Sequence, residues 1–383
     1  MKIKLILLTL VVLALAIGIP YTLPSVSSIN ILAAVASAVV AVVGISIIIK
    51  PIDELKQLAG EIKKGNLNIK SSLGQSHELG VVAEQLDNTA MLLMNKIEDQ
   101  KTFNQRIEEQ RRELESTTEE IHYINKQITA SINYAERIQR SMLPDQKMLK
   151  GIFKESFIIY KPKDVVSGDF YWFERINRAG KEFMVVAAAD CTGHGVPGAI
   201  MSMMGNNLLT NIVYYQNYLD PNKILARMDQ EIKYELKQGE NPEDSKDGME
   251  MALCVIDLDT NELDYAGGGI PLYIMRDGEL ITYKPDKVML GGMVGQSEDD
   301  NALNVHHIQL QKNDKIYLCS DGFQDQFGGP QDKKFMAKRL RELFKEIHGE
   351  SMEEQNTMIT ERFQDWKKDT DQTDDVMVLG FRI

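Results

Sequence analysis

The sequence predicts an α+β fold for residues 145–383, preceded by apolar and helical segments. In the C-terminal part, β-rich apolar runs follow one another in groups and helical patterns come in blocks. This order favours α+β over a doubly wound parallel sheet. Residues 1–50 are dominated by two long apolar runs, and apolar residues at helical spacing continue through residues 51–98 and 99–144. These four ranges are the predicted domains.

Charge and cysteine content narrow the classes of protein to which the chain can belong. Its 383 residues include 43 Lys and Arg against 56 Asp and Glu, and the net charge of −13 argues against a broad nucleic-acid-binding face. The cysteines, Cys191, Cys254 and Cys319, lie far apart in or beside apolar runs and follow no CxxC pattern. We interpret them as buried thiols in a reducing compartment, without a disulfide or a zinc site.

The first domain, residues 1–50, is a predicted transmembrane hairpin. Its apolar runs, residues 3–19 and 29–49, are each about long enough to cross a hydrocarbon core of roughly 30 Å. Lys2 and Lys4 lie at the start of the first run and Lys50 follows the second, so the positive-inside rule places both ends in the cytoplasm. The alternative is a cleaved signal peptide in front of one span, but no clear A-x-A cleavage site follows the first run.

The second domain, residues 51–98, is predicted to be two amphipathic helices joined by a connector. Apolar residues recur at spacings of three and four after Pro51, GNL at 65–67 interrupts them, and a second stripe starts near ELG at 78–80. These features, just inside the predicted membrane, resemble a HAMP linker. The alternative is an ordinary pair of amphipathic helices.

The third domain, residues 99–144, carries an apolar residue at every seventh position, as in a coiled coil. The d positions are mixed and include Gln110, Thr117 and Ser131, so we expect a marginally stable coiled coil that suits a switch. Continuity with the HAMP-like segment favours a parallel homodimer over a single long helix packed on its own domain. The helix is expected to end at Pro144 and to feed directly into the next domain. The a positions are Ile107, Leu114, Ile121, Ile128, Ala135 and Met142.

The fourth domain, residues 145–383, contains both strand and helix signals. It has no phosphate-binding loop of the GxxxxGKS or GxGxxG type, which leaves little support for an ATP-dependent kinase or a cyclase. Strands are predicted at 157–160, 170–173, 183–189, 251–257, 272–275, 303–309, 316–319 and 376–381. Helices are predicted at 198–215, 221–238, 336–347 and 352–367.

Aspartates stand at the ends of four of these strands. Asp190 and Asp321 close apolar runs, Asp169 precedes one, and Asp374 with its neighbour Asp375 precedes the last. One aspartate at a strand end is usually a turn residue, but clustered carboxylates repel one another unless cations neutralise them. Because all these ligands are oxygen atoms, the pattern favours Mg²⁺ or Mn²⁺ over zinc.

Five motifs of the fourth domain occur together in a fixed order: SGDFYWF, ADCTGHGVPGA, YAGGGIPLYIMRDG, CSDGF and TDDVMVL. With the preceding ERIQRSMLP they resemble the SpoIIE/RsbU-type branch of metal-dependent serine/threonine phosphatases, which are protein phosphatase 2C-like (PPM) enzymes. The resemblance covers about residues 128–383. It implies a four-layer α-β-β-α sandwich, in which two antiparallel sheets are flanked by helices and two divalent cations bind at one edge.

The resemblance also implies roles for individual residues. Asp190 matches the aspartate that bridges the two cations, and the main-chain carbonyl of Cys191 matches a further ligand. Asp321 and Asp374 match ligands of the first cation. Asp169 matches the acid that binds the second cation or orients its waters. Together, Asp169 and Asp190 are the expected catalytic residues, and all five residues form the expected metal site.

Several nearby residues have competing interpretations. Asp375 is the less suitable ligand of its pair. Asp247 is either part of an additional weak metal site or an ordinary loop residue, and the loop interpretation is preferred. His194 is either a general acid for the leaving oxygen or a turn residue between glycines. No nucleophilic Cys or Ser is expected, because the implied chemistry uses water that the cations activate.

The sequence therefore predicts a phosphoserine/phosphothreonine protein phosphatase anchored in the cytoplasmic membrane, with its catalytic domain in the cytoplasm. The resemblance implies a phosphorylated protein as substrate, a STAS-type anti-sigma-factor antagonist or a similar regulator. Expected partners are the membrane and a second copy of the chain, and no nucleic acid. The alternative from another class is a non-catalytic membrane scaffold that uses a phosphatase-like fold to bind partners.

Overall fold

The computed structural model describes residues 28–74, 78–239, 241, 245–292 and 303–383. The chain forms two compact units, Met1–His122 and Tyr123–Ile383. We call them the N-terminal unit and the C-terminal unit. The first apolar run of the predicted hairpin lies outside the described residues.

The N-terminal unit contains helix α1, Ser28–Lys63, and most of helix α2, Glu78–Met142. By length and composition, Ala33–Lys63 is the one described helix that is apolar enough to cross a membrane, with a mean hydropathy of 2.3. A signal sequence near an N-terminus passes the same test. Helix α1 ends at Lys63, just before the predicted interruption at 65–67, and helix α2 begins at Glu78, as the sequence predicts. The HAMP assignment stays a prediction.

Helix α2 exposes much of the predicted a-position stripe. Ile107, Leu114 and Ile121 of the N-terminal unit are exposed, and so is Ile128 of the C-terminal unit. The next a position, Ala135, is partly buried. The helix ends at Met142, two residues before Pro144.

The C-terminal unit contains two antiparallel sheets. Sheet I has the strand order β1-β13-β10-β6-β7, and sheet II has the order β2-β3-β4-β5-β9 with β8 paired to β4. The strands of these two sheets are β1 Ser156–Lys161, β2 Phe170–Arg178, β3 Lys181–Cys191, β4 Gly248–Asp257, β5 Glu262–Gly268, β6 Leu272–Arg276, β7 Glu279–Tyr283, β8 Leu290–Gly291, β9 His306–Gln309, β10 Lys315–Cys319 and β13 Val376–Arg382. Two further strands, β11 Phe327–Gly328 and β12 Lys333–Lys334, pair only with each other among the described residues. The helices are α3 Gln146–Ile152, α4 Gly195–Leu209, α5 Pro221–Glu235, α6 Gly322–Asp325, α7 Ala337–Glu346 and α8 Met352–Lys367, and a π-helical segment Thr210–Tyr215 follows α4.

Three apolar cores order these elements into four layers. Inward-facing residues such as Val186 of β3 and Leu318 of β10 fill the space between the sheets. Helices α4 and α5 cover the outer face of sheet II, where Ile224 is fully buried. Helices α7 and α8 cover the outer face of sheet I, where Phe344 stacks on Tyr317. This arrangement confirms the predicted α-β-β-α sandwich.

Candidate active site

The register of sheet II brings acidic residues of neighbouring strands to one level. Asp190 pairs with Glu250 across β3 and β4. Phe170 pairs with Ala189. Asp169, one residue before Phe170, therefore lies opposite Asp190 if the same antiparallel register is extended by one residue. Paired residues share a face of the sheet, with Cβ atoms about 5 Å apart. Asp190 lies on the same face as Ala188 and Val186, which line the space between the two sheets.

Sheet I brings its acidic residues to the same edge of the sandwich. Asp321 follows β10, and Asp374 and Asp375 precede β13. Since β10 and β13 are paired and antiparallel, the end of one strand lies beside the start of the other. The adjoining Ser320 donates its main-chain N–H to the Met377 carbonyl over 3.1 Å.

A hydrogen bond links the two sheets at this edge. The Ser320 hydroxyl donates to Asp169 Oδ2 over 2.5 Å. Asp169 has only 2% of its surface exposed. Its main-chain N–H donates to the Ser167 hydroxyl over 3.0 Å, and its carbonyl accepts from the Tyr160 hydroxyl over 3.1 Å. Ser320 therefore orients the side chain of Asp169, while Tyr160 and Ser167 hold its main chain.

The carboxylates at this edge raise one another's pKa values. Burial raises the pKa of Asp190 to about 8, assisted by the negative charges of Asp321, Asp374 and Glu250. Burial, followed by the charge of Asp190, raises the pKa of Asp169 well above its ordinary value. Burial also raises the pKa of Asp321. Each of these groups would release its proton more readily if a cation took the proton's place.

The residues present fit divalent cations by the chemistry of their donors. Asp169, Asp190, Asp321 and Asp374 offer only oxygen atoms, as Mg²⁺ and Mn²⁺ prefer. Within the described ranges, none of these four carboxylates forms an ion pair with Lys or Arg. Over the same ranges, no three His, Cys, Asp or Glu side chains are already drawn together tightly enough to hold a metal ion.

Asp375 uses both of its oxygen atoms to hold the loop that leads to Asp169. The main-chain N–H groups of Lys163 and Gly168 each donate to it over 2.7 Å. The neighbouring Asp374 accepts only the main-chain N–H of Asp375 at 2.8 Å among the described contacts of its carboxylate. The carboxylate of Asp374 therefore has fewer contacts than that of Asp375, and the choice of Asp374 as the ligand stays a prediction.

Gln139 at the end of α2 holds the same loop from the other side. Its amide nitrogen donates to the Ser167 carbonyl over 2.6 Å and to the Ser202 hydroxyl of α4 over 2.8 Å. Its amide oxygen accepts the Ser167 main-chain N–H over 3.1 Å. Gln139 is buried, with 4% of its surface exposed. The Ser167 hydroxyl in turn accepts the main-chain N–H of Asp169. Two successive hydrogen bonds therefore connect the end of helix α2 to an expected metal ligand.

The remaining residues of interest are placed around this edge. The Cys191 thiol is buried, and burial together with the charge of Asp190 raises its pKa, so it stays protonated. Asp247 accepts the Thr192 and Ser245 hydroxyls, one on each oxygen, which supports its loop role. His194 Nδ1 lies 2.9 Å from Asp164 Oδ2, and both side chains are half-exposed.

Comparisons with known proteins identify the group to which this arrangement belongs. The sequence model of the family described as Stage II sporulation protein E (SpoIIE) matches residues 180–383, more than half of the chain. The chain belongs to the SpoIIE family. The matched range of this SpoIIE-family chain contains Asp190, Asp321 and Asp374 and begins after Asp169. The resemblance drawn from the five motifs is thereby confirmed.

A solved PP2C domain supports this assignment. The SiaA-PP2C domain of Pseudomonas aeruginosa is 30% identical over 68% of this chain and 98% of its own, with a TM-score of 0.58. The PP2C domain of SpoIIE from Bacillus subtilis, with a fragment of its regulatory domain, is 18% identical over 60% of this chain and 63% of its own, with a TM-score of 0.48. RsbX in complex with magnesium is 18% identical over 60% and 94%, with a TM-score of 0.41. Comparison with the curated proteins gave no match. The chain is a PP2C-type protein serine/threonine phosphatase.

The raised pKa of Asp190 predicts how pH affects the stability of the metal-free protein. Between the ordinary pKa of 3.8 and the folded pKa of about 8, the folded protein keeps a proton that the unfolded chain releases. Its stability therefore falls as the pH rises through this range. Bound Mg²⁺ replaces the proton, so its addition should raise the melting temperature more at pH 8 than at pH 5.5, by at least ~3 °C. Thermal denaturation in EDTA and in Mg²⁺ checks this, and equal gains at both pH values would contradict it.

Proposed function

We propose that this chain is a membrane-anchored phosphoserine/phosphothreonine protein phosphatase of bacterial signal transduction. It uses two divalent cations, Mn²⁺ or Mg²⁺. The observation that carries the proposal is the convergence of Asp169 and Asp190 of sheet II with Asp321 and Asp374 of sheet I, without a Lys or Arg ion pair in the described part of the chain. The cations would supply the missing positive charge.

The resemblance to SpoIIE/RsbU-type phosphatases implies the division of roles among the residues. When bound, the cations lower the pKa of a water molecule that attacks phosphorus, and they offset charge on the phosphoryl oxygens. Asp190 lies centrally among the carboxylates and is the proposed bridging ligand. Asp321 and Asp374 would hold the first cation with the Cys191 carbonyl, and Asp169 would serve the second. Ser320 fixes the orientation of Asp169 through its 2.5 Å hydrogen bond.

The proposed substrate is a protein phosphorylated on Ser or Thr, and a STAS-type anti-sigma-factor antagonist is the preferred class. The test is phosphate release by the purified full chain, with Mn²⁺, from a STAS-domain protein phosphorylated on serine. A phosphotyrosine peptide is the matched control. We expect release from the first and little from the second. A folded chain that binds Mn²⁺ and releases phosphate from no phosphoserine or phosphothreonine protein would favour the scaffold alternative.

We further propose that the long helix regulates the metal site and that the active form is a parallel homodimer. The exposed apolar a positions, Ile107, Leu114, Ile121 and Ile128, support the dimer, because a second helix would bury them. The clamp of Gln139 on Ser167 supports the coupling, because a rotation or shift of the helix end would move the loop before Asp169. The membrane anchor is proposed from the apolar helix α1.

Replacing Gln139 with alanine tests the coupling. The substitution leaves the buried N–H of Ser167 without its partner, at a cost of about 1–3 kcal/mol. The Ser167 carbonyl loses the shorter of its two hydrogen bonds and keeps the one from the Ser202 hydroxyl at 3.2 Å. The loop before Asp169 should loosen, so we expect the Mn²⁺ concentration for half-maximal activity to rise by about tenfold, equivalent to roughly 1.4 kcal/mol.

Gln127→Ala is the matched control, because Gln127 lies on the same helix and is exposed. It should leave the Mn²⁺ dependence unchanged. The coupling is wrong if Gln139→Ala and Gln127→Ala give the same Mn²⁺ dependence as the unchanged chain.

A further inference from the structure

Glu250 is an acidic residue at the metal-binding edge to which no role has yet been assigned. It lies on β4, directly opposite Asp190 on β3. Asp169, Asp190 and Glu250 therefore form a row across three neighbouring strands of sheet II, on the face that looks toward sheet I. The charge of Glu250 contributes to the raised pKa of Asp190. Burial, followed by the charge of Asp321 beside sheet I, raises the pKa of Glu250.

The environment of Glu250 provides space for its carboxylate but no compensating charge. Across the described ranges, the carboxylate has neither a hydrogen-bond donor nor an ion-pair partner among the protein groups. The side chain is nevertheless only partly exposed. Burying a carboxylate beside other carboxylates costs free energy unless a cation is present.

The conformation of Gly269 accounts for the space. A Cβ atom at this position would lie 2.2 Å from the carboxyl carbon of Glu250 and 2.3 Å from its Oε2. Gly269 also has a φ of +85°, which favours glycine. The third glycine of the motif YAGGG therefore leaves the room that the Glu250 side chain occupies beside Asp190.

We propose that Glu250 is a fifth carboxylate of the metal centre and sets its affinity for divalent cations. The inference rests on the proposed metal-dependent function. Asp169, Asp190, Asp321, Asp374 and Glu250 together offer more negative charge than two divalent cations neutralise. Glu250 therefore strengthens cation binding through its charge beside Asp190, as a positioning residue of the centre.

The test is direct Mn²⁺ binding by the purified full chain, measured from the electron paramagnetic resonance signal of free Mn²⁺. Glu250→Gln keeps the shape of the side chain and removes its charge. We expect its dissociation constant for Mn²⁺ to rise by about 10- to 100-fold, the range found when groups that support metal ligands are removed. In EDTA, its melting temperature should equal or exceed that of the unchanged chain, because one repulsive charge is gone.

Glu174→Gln is the matched control, because Glu174 is also a partly buried carboxylate of sheet II whose pKa is raised by burial. Its partner on β3 is Val185, five residues from Asp190. This variant should bind Mn²⁺ as the unchanged chain does. If Glu250→Gln also binds Mn²⁺ with unchanged affinity, the role of Glu250 is refuted while the metal centre stands. If the unchanged chain binds no Mn²⁺, the proposed function itself fails, and the inference fails with it.

Discussion

Replacing Asp190 with asparagine is expected to abolish metal-dependent phosphate release. Asp190 lies centrally among Asp169, Asp321, Asp374 and Glu250, and asparagine removes the charge that faces all of them. Both cations should be lost or displaced. The turnover number should therefore fall by about a thousandfold or more, which corresponds to roughly 4 kcal/mol of transition-state stabilisation.

The control for this substitution is Asp264→Asn. Asp264 lies on β5 of the same sheet and faces His307 at the exposed surface, where the two side chains are 2.6 Å apart. Its replacement should leave phosphate release within about twofold, since surface ion pairs contribute little. The metal-free Asp190→Asn protein should be at least as stable as the unchanged chain, because repulsion is relieved. Substantial Mn²⁺-dependent activity in Asp190→Asn would contradict the bridging role.

Replacing Gly198 with alanine is expected to destabilise the protein and to inactivate it. In an ordinary helix the exchange stabilises by about 1 kcal/mol. At Gly198, however, the new Cβ would lie 2.3 Å from the Gly193 carbonyl oxygen and 2.9 Å from Gly168 Cα. Both atoms are main chain and cannot rotate away. They belong to the segments that carry the Cys191 carbonyl and Asp169, so the substitution pushes expected ligands apart.

We expect Gly198→Ala to lower the free energy of unfolding by about 1–3 kcal/mol, the usual cost of overpacking. Phosphate release should fall by at least tenfold, and higher Mn²⁺ should restore it only in part. Gly151→Ala is the matched control, because Gly151 also lies in a helix and a Cβ added there would meet no heavy atom within 4 Å. It should be neutral or slightly stabilising. If Gly198→Ala and Gly151→Ala had equal stability and activity, this account of Gly198 would be contradicted.

Much of the fold follows from short-range sequence patterns. Strands β3 and β10, which carry or precede Asp190 and Asp321, contain continuous apolar runs, because both of their faces are buried between layers. The helices that cover the sheets keep a helical period, because each buries only one face. Among the strands that the sequence missed, β5 and β7 are the longest, and they begin with Glu262 and Glu279 and mix polar with apolar residues. The others, β8, β11 and β12, have two residues each. The pairing of β5 and β7 with neighbours stabilises them more than their own composition does.

The site is only partly predictable for a different reason. Aspartates at strand ends are visible in the sequence, and their number indicates cations. The role inferred for Glu250 depends on the register between β3 and β4, which are separated by two helices, and no local turn fixes such a register. The contacts of Gln139 and Ser320 join segments far apart in the chain. A search for polar residues inside otherwise apolar strands would have singled out Glu250 of GMEMALC.

The central claim is that the carboxylates of the two sheets hold cations that hydrolyse phosphoserine. The most direct measurement is phosphate release from a phosphoserine protein by the full chain, as Mn²⁺ is titrated into EDTA-treated enzyme. We expect no release without the metal, a saturable rise with Mn²⁺, and loss of that rise in Asp190→Asn. Release that persists in excess EDTA would contradict the claim, and so would a rise with Mn²⁺ that Asp190→Asn leaves intact.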